Sequence, residues 1–143
     1  MSAKDKFHEA VKKGLQKEQW LITHDPLRVD FGEKDEVRID LGAEKLLGAE
    51  RGGEKIAVEI KSFLNDSALF DFHTALGQFL NYRLALKEND SKRILYLAVP
   101  ISAYESFFQR DLPKASIKEY QVKLIVYDPI DEVIVKWIEQ LIN

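Results

Sequence analysis

Two acidic residues and a lysine stand at a spacing that can support metal-dependent chemistry. Asp40 lies in the segment VRIDL (37–41), and Glu59 and Lys61 lie in the segment IAVEIK (56–61). Both segments alternate apolar and polar residues, which predicts strands with two unlike faces. Glu59 and Lys61 then point the same way, about 6.6 Å apart along the strand. If the two strands pair, two carboxylates and an ammonium group converge on one patch.

Such a patch can hold a divalent cation beside a phosphodiester. Magnesium prefers hard oxygen ligands and takes one or two protein carboxylates while it keeps several waters. A bound cation lowers the pKa of a water and stabilises the charge that develops on the phosphate, and a nearby lysine adds to that stabilisation. The alternative is a solvated sheet face, where Asp, Glu and Lys are common. The two strands alone favour neither interpretation.

The elements that must position these residues alternate between helix and strand. We predict a helix over 4–18, strands over 27–31, 37–41 and 56–61, a helix from the cap candidates Asn65–Ser67 to Lys87, a strand over 93–99, a short helix capped by Ser102 through Phe108, a strand over 122–126, and a segment 133–142 that begins as strand and ends as helix. Close-set early strands predict an antiparallel meander, and helical crossovers separate the later strands. The result is an α/β fold with a mixed sheet that is flanked by helices on both faces, in one domain over 1–143.

The strand faces follow from the alternation. The apolar residues of each strand are expected to share one face, Val37, Ile39 and Leu41 on one strand and Ile56, Val58 and Ile60 on the other. Because helices are expected on both sides of the sheet, Glu59 should not lie on an open surface, and a buried carboxylate demands partners. Between these strands, AEKLLGAE (43–50) is either a helical turn or an extension of the strand.

Composition narrows the function classes. The 143 residues include no cysteine, which excludes a disulfide framework and a cysteine-based zinc site, and we expect a cytoplasmic protein. No apolar run approaches the ~20 residues that span a bilayer, so no membrane association is expected. The net charge of −3 counts against strong non-specific DNA binding by a monomer, but not against a local basic patch or an assembly.

The long helix brings further polar groups to one face. Asp71, Ala75, Gln78 and Tyr82 recur at helical spacing. Gln78 and Tyr82 could orient a phosphate or a water beside the carboxylates. The alternative, which is favoured for this pair taken alone, is an interior helix whose tyrosine packs and whose glutamine meets solvent.

The order of helix, three strands with Asp then Glu-x-Lys, helix with Gln-x-x-x-Tyr, and strand resembles the PD-(D/E)XK, or restriction-endonuclease-like, superfamily, with its α-β-β-β-α-β core. More narrowly, four long phrases resemble the XisH family, the fdxN-element excision controlling factors of cyanobacteria: IDLGAEK (39–45), GGEKIAVEIKSF (52–63), FHTALGQFLNYR (72–83) and LYLAVP (95–100). Ile39 stands where the superfamily motif has proline, so one identifying mark is missing.

The resemblance implies roles for individual residues. Asp40 and Glu59 would ligate Mg²⁺ or Mn²⁺, and Lys61 would assist the nucleophile. Gln78 and Tyr82 match the helical motif that some nuclease branches carry beside the site.

Many relatives add an acidic residue from the first helix. Glu9 is the candidate here, but it lies about 200° around the helix from Phe7 and away from the apolar stripe, so we do not assign it to the site. His8, about 100° from Phe7, is nearer the edge of the stripe and is a candidate to support the site, although a lone histidine there is more often structural.

For function, the XisH resemblance implies an accessory role in the excision of a DNA element during heterocyst differentiation. In that process a site-specific recombinase cuts and joins, and the family member acts together with a second small protein, XisI. Two hypotheses therefore stay open: a magnesium-dependent DNA endonuclease, and a non-catalytic scaffold that binds protein or DNA. DNA, an XisI-like protein and a second copy of the chain are the expected partners.

Overall fold

The computed structural model describes residues 3–46 and 53–139. The helices are α1 (Ala3–Lys17), α2 (Ala68–Asn89), α3 (Ile101–Glu105) and α4 (Asp111–Tyr120), with a 3-10 helix at Phe107–Gln109. The strands are β1 (Leu21–His24), β2 (Leu27–Phe31), β3 (Asp35–Ile39), β4 (Leu41–Leu46), β5 (Gly53–Ile60), β6 (Arg93–Pro100), β7 (Leu124–Asp128) and β8 (Val133–Ile138).

Six of the described strands form one mixed sheet, in the order β1-β4-β5-β6-β7-β8. The three central strands β5, β6 and β7 are parallel to one another, and each flank pairs antiparallel. Parallel strands are usually buried on both faces, and β6 and β7 accordingly consist almost entirely of buried residues. The predicted α/β fold with a mixed sheet is confirmed.

Strands β2 and β3 form a separate two-stranded antiparallel hairpin, with Leu27 opposite Ile39 and Phe31 opposite Asp35. The inward residues Leu27 and Val29 are buried, and the hairpin packs against α2. The early strands are therefore antiparallel, as predicted, but they belong to two sheets. The chain passes from the hairpin into the main sheet between Ile39 and Leu41.

The main sheet separates two apolar cores. One core lies under α1 and includes Val11, Leu15, Val58 and Tyr127. The other lies under α2 and the later helices, and its members from the hairpin, α2 and the 3-10 helix include Ile39, Phe72, Phe79 and Phe108. Helices thus cover both faces of the sheet.

The prediction of one continuous strand over 37–41 is wrong. The strand breaks at Asp40, so Ile39 enters the core under α2 while Leu41 enters the core under α1. The physical reason is that the Asp40 carboxylate accepts the backbone N–H of Ile60, so a side chain occupies a position that a strand ladder would give to the backbone. By contrast, Ile56, Val58 and Ile60 share the face under α1, as predicted.

The helix ends test the capping predictions. Ser67 caps α2, and its side chain accepts the backbone N–H of Phe70 at 3.1 Å. The assignment of Ser102 as a cap is wrong, because α3 begins at Ile101 after Pro100 and has no side-chain cap.

Helix α4, over Asp111–Tyr120, is not among the helices predicted from the sequence. Pro113 is tolerated in α4 because it lies in the first turn, where a backbone N–H has no partner within the helix.

Two predictions are tested only in part. Strand β4 extends through Leu46, which favours strand extension at the start of the segment 43–50, and the rest of that segment lies outside the described residues. The last predicted segment begins as strand β8, and its expected helical end also lies outside them. None of the described helices is both long enough and apolar enough to cross a membrane.

Candidate metal-binding site

The two candidate carboxylates meet where the chain enters the main sheet. Asp40 Oδ2 accepts the backbone N–H of Ile60 at 2.7 Å, and the backbone N–H of Asp40 donates to Glu59 Oε1 at 3.3 Å. Each acidic residue thus contacts the strand end that carries the other. The fold brings together Asp40 and Glu59, which the sequence separates by eighteen residues.

Glu59 is the more unusual of the two carboxylates because it is only 5% exposed. Burial and, after it, the charge of the Asp40 carboxylate and a hydrogen bond with its side chain together raise the pKa of Glu59 to about 8, although Lys61 and the hydrogen bond from the Asp40 backbone oppose the shift. At neutral pH Glu59 therefore holds a proton most of the time. This confirms the expectation that Glu59 does not lie on an open surface.

Lys61 is fixed at the end of β5 by its backbone. Its N–H donates to the carbonyl of Ala98 at 3.0 Å, and its carbonyl accepts the hydroxyl of Tyr127 at 3.2 Å. The Lys61 ammonium lies 3.5 Å from Glu59 Oε2, and its side chain is 23% exposed. The lysine therefore neutralises Glu59 on one side and reaches solvent on the other.

Sequence reasoning missed Tyr127. It is fully buried on β7, where its ring packs edge-on against Phe7, and burial together with the Asp40 charge raises the pKa of its hydroxyl. A buried tyrosine needs a partner for its hydroxyl. This general requirement is the signal by which the sequence could have drawn attention to Tyr127. Nothing in the sequence shows that the partner is the carbonyl of Lys61.

A pocket of about 310 Å³ opens beside the carboxylate pair. It is lined by Asp40, by Ile60–Phe63 after β5, by Phe7 and His8 from α1, and by Phe70, Asp71 and Thr74 from α2. Asp40 and Lys61 thus face a space that a ligand can enter, while Glu59 lies behind them.

His8, a candidate to support the site, lies in the pocket wall. Its Nε2 is 2.7 Å from Oδ1 of Asp25, and the Lys12 ammonium donates to Oδ2 of the same carboxylate at 3.0 Å. Asp25 therefore orients a histidine that borders the site. Sequence reasoning missed Asp25, because the sequence predicts only a turn or an extended segment before Pro26.

Asp25→Asn is expected to lower stability above pH 4 and to have little effect in stronger acid. Burial alone raises the pKa of Asp25, but the hydrogen bond from Lys12 and the interactions with His8 outweigh it, so the folded pKa is below the ordinary value of 3.8. The stabilisation is present above that unfolded value and is lost as the pH falls through the folded pKa. The cost should not exceed ~1 kcal/mol because the pair is partly solvated. Urea unfolding at pH 7 and pH 3 measures it, and an equal cost at both pH values would contradict this.

Tyr82 and Gln78 lie on α2, one turn apart. Burial, followed by the charges of Glu59 and Asp40, raises the pKa of Tyr82 to about 12, which places its phenol within the field of the carboxylate pair. Within the described part of the chain, Gln78 Oε1 is buried and has no hydrogen-bond partner. A buried acceptor without a donor calls for a water or a ligand as its partner, but neither Gln78 nor Tyr82 is among the residues that line the pocket.

The residues fit a divalent cation on chemical grounds. A cation held by Asp40 and Glu59 would replace the Glu59 proton and offset both the burial and the repulsion from Asp40 that raise the Glu59 pKa. Two carboxylates are enough for magnesium, which keeps several waters. The described residues contain no group of three or more His, Cys, Asp or Glu side chains suited to a metal ion, so the candidate ligands among them are the two carboxylates of Asp40 and Glu59.

The fold and the site define an α/β protein with a mixed sheet and a pair of carboxylates, of which Glu59 is buried and Asp40 faces a pocket, at the carboxyl end of a central strand. The chain belongs to the XisH family, whose model, described as XisH protein, matches residues 1–135.

Two solved structures are similar over nearly the whole chain. An XisH family protein from Nostoc punctiforme PCC 73102 is 51% identical, with a TM-score of 0.83 over 94% of this chain and 100% of the other. A fdxN element excision controlling factor protein from Anabaena variabilis is also 51% identical, with a TM-score of 0.84 over 94% of this chain and 99% of the other. No curated protein gives a significant match.

Proposed function

We propose that this chain is a controlling factor for the excision of a DNA element and that its PD-(D/E)XK-type core is a Mg²⁺- or Mn²⁺-dependent DNA endonuclease. The carrying observation is the convergence of Asp40, Glu59 and Lys61 beside an open pocket. The excision role is proposed from the 51% identity to the Anabaena variabilis controlling factor. An XisI-like small protein and a second copy of the chain are the partners that we propose for it in the cytoplasm.

In this proposal each residue has a separate task. Asp40 and Glu59 would hold the cation, which stabilises negative charge on a phosphodiester when it is bound. The backbone of Lys61 is held by hydrogen bonds with the Ala98 carbonyl and the Tyr127 hydroxyl, and its ammonium would orient the attacking water and stabilise charge in the transition state.

A specific observation supports a second candidate function, that of a non-catalytic scaffold for a site-specific recombinase. Glu59 is buried behind the pocket wall and holds a proton near neutral pH, so a cation must first displace that proton. A pair that never exchanges its proton for a metal would act only to join the hairpin to the sheet. The nuclease fold would then serve for binding alone.

Calorimetric titration with Mg²⁺ and Mn²⁺ separates the two candidates. We expect binding in the micromolar to low-millimolar range at pH 7, with the release of about one proton, because the metal replaces the proton that the pair shares. Titrations in two buffers of different ionisation enthalpy measure the number of protons released.

The variant Asp40→Ala with Glu59→Ala should lose both the binding heat and the proton release. A matched control is Asp30→Ala with Glu36→Ala, which removes two exposed carboxylates from facing positions of the hairpin. Equal binding by the wild type and the site variant would contradict a metal site at this pair and would favour the scaffold.

A further inference from the structure

The outer face of the hairpin carries two arginines directly opposite one another. Arg28 on β2 and Arg38 on β3 are paired in the antiparallel register, and both are exposed. Side chains directly opposite on two strands have Cβ atoms about 4.5–5.5 Å apart, and like charges at such a pair destabilise the hairpin. We call this pair the arginine rung.

The next pair along the same face is acidic, with Asp30 opposite Glu36. Glu36 compensates one member of the arginine rung, since its Oε1 is 3.1 Å from Arg38 Nε. Within the described part of the chain, Arg28 forms no ion pair. Charge on this face is therefore segregated. Negative charge lies toward the turn of the hairpin, and a partly uncompensated positive charge lies toward its base.

The base of the hairpin adjoins the candidate site on both strands. Arg38 lies two residues before Asp40, about 6.6 Å along an extended chain. Arg28 lies three residues after Asp25, which holds His8 in the pocket wall. Phosphates on one DNA strand follow each other at about 3.4 Å along the helix axis, so an arginine side chain here reaches a phosphate within a few nucleotides of one bound at the carboxylate pair.

We propose that Arg28 and Arg38 form a phosphate-binding clamp for the DNA backbone, next to the carboxylate pair. A guanidinium presents its N–H groups in a planar fork that matches phosphate oxygens, and two opposed guanidinium groups can hold one phosphate or two neighbouring phosphates. The anion would remove the repulsion between the arginines. A net charge of −3 counts against DNA binding by the chain as a whole, but the clamp concentrates positive charge locally, so it can still bind DNA.

This inference deepens the proposed function, because it names the part of the DNA that the chain grips, and it can be tested without metal or cleavage. Fluorescence anisotropy with a fluorescein-labelled duplex of arbitrary sequence, in EDTA and from about 50 to 200 mM salt, measures affinity and its salt dependence. We expect Arg28→Ala with Arg38→Ala to bind about tenfold more weakly. The slope of log K against log salt should fall by about 2, since each phosphate contact in a duplex contributes about 0.9.

The matched control is Lys92→Ala with Lys118→Ala, which removes the same net charge from exposed positions that do not line the pocket. It should bind DNA with the wild-type slope. The arginine variant should melt close to the wild-type temperature, because it loses a repulsive pair but also the exposed ion pair between Arg38 and Glu36. If it melts at a lower temperature, the variant Arg28→Lys with Arg38→Lys tests whether its weaker DNA binding comes from misfolding. Both charges remain in this variant, so the salt slope should stay at the wild-type value, while the affinity should fall because lysine lacks the planar fork of arginine.

Three results would overturn the clamp: no DNA binding by the wild type, a wild-type slope in the alanine variant, or an equal loss in the control. Loss of DNA binding in the arginine variant, in a protein that gives no metal-binding heat, would leave the clamp standing and refute only the endonuclease. Metal binding by a wild-type protein that does not bind DNA in EDTA would refute the clamp and leave the proposed metal site standing.

Discussion

The metal-free protein is expected to lose stability as the pH rises from about 4.5 to about 8. Glu59 has a pKa of 4.5 when unfolded and about 8 when folded, so between these values the folded state holds a proton that the unfolded state has released. Stability falls with pH wherever the folded state binds more protons. At about 1.4 kcal/mol per pKa unit, the loss should be on the order of a few kcal/mol.

Urea unfolding in EDTA at several pH values measures this loss, and Glu59→Gln should remove most of it. The matched control is Glu33→Gln, which makes the same change in the exposed turn of the hairpin and should keep the wild-type slope. A wild-type free energy of unfolding that stays constant or rises across this range would contradict a buried, protonated Glu59. If the pair binds metal, Mn²⁺ should restore stability most strongly near pH 8, where the cation no longer competes with a proton.

Lys61→Ala is expected to abolish metal-dependent nicking of supercoiled plasmid while it leaves metal binding in place. The ammonium is placed to stabilise charge in the transition state rather than to hold the metal, and removal of one such group typically lowers the rate by about 10²–10³. Because Lys61 lowers the pKa of Glu59, its removal raises that pKa further, so the assay should extend to alkaline pH. Gel electrophoresis over a time course in Mg²⁺ and in Mn²⁺ measures the rate.

Lys55→Ala provides the matched control, since Lys55 lies on the same strand and also pairs with a glutamate, at 3.7 Å from Glu44. It should nick plasmid at the wild-type rate. Equal rates for the wild type and Lys61→Ala would show that Lys61 has no catalytic role. A wild type that leaves the plasmid intact with both metals would refute the endonuclease and favour the scaffold.

The sequence predicted the fold where periodicity carries the information. The alternation of β5 identified the face of Ile56, Val58 and Ile60, and the serine before α2 identified its start. The prediction failed at Asp40, because alternation cannot reveal that a side chain will take a strand's hydrogen bond and turn the next residue to the other face. It also missed α4, whose early proline resembles a helix breaker unless its place in the first turn is known.

The sequence predicts which residues form the candidate site, but not how deeply they are buried or which residues support them. The spacing predicts that Asp40, Glu59 and Lys61 converge if their two strands pair, and in the structure Glu59 contacts both Asp40 and Lys61. The burial of Glu59 and the support from Tyr127 and Asp25 depend on contacts between segments far apart in the chain. Such contacts follow from the packed sheet and leave no local pattern in the sequence.

Asp40 is both a candidate metal ligand and the residue that connects the hairpin to the main sheet. The chain changes sheets at this residue, and the same carboxylate that would hold a cation restrains the base of the hairpin through Ile60. A change of charge at the pair therefore alters how firmly the hairpin is held. The arginine rung lies on the same hairpin, so if it binds DNA as proposed, the charge of the carboxylate pair and the affinity for DNA would be coupled through Asp40.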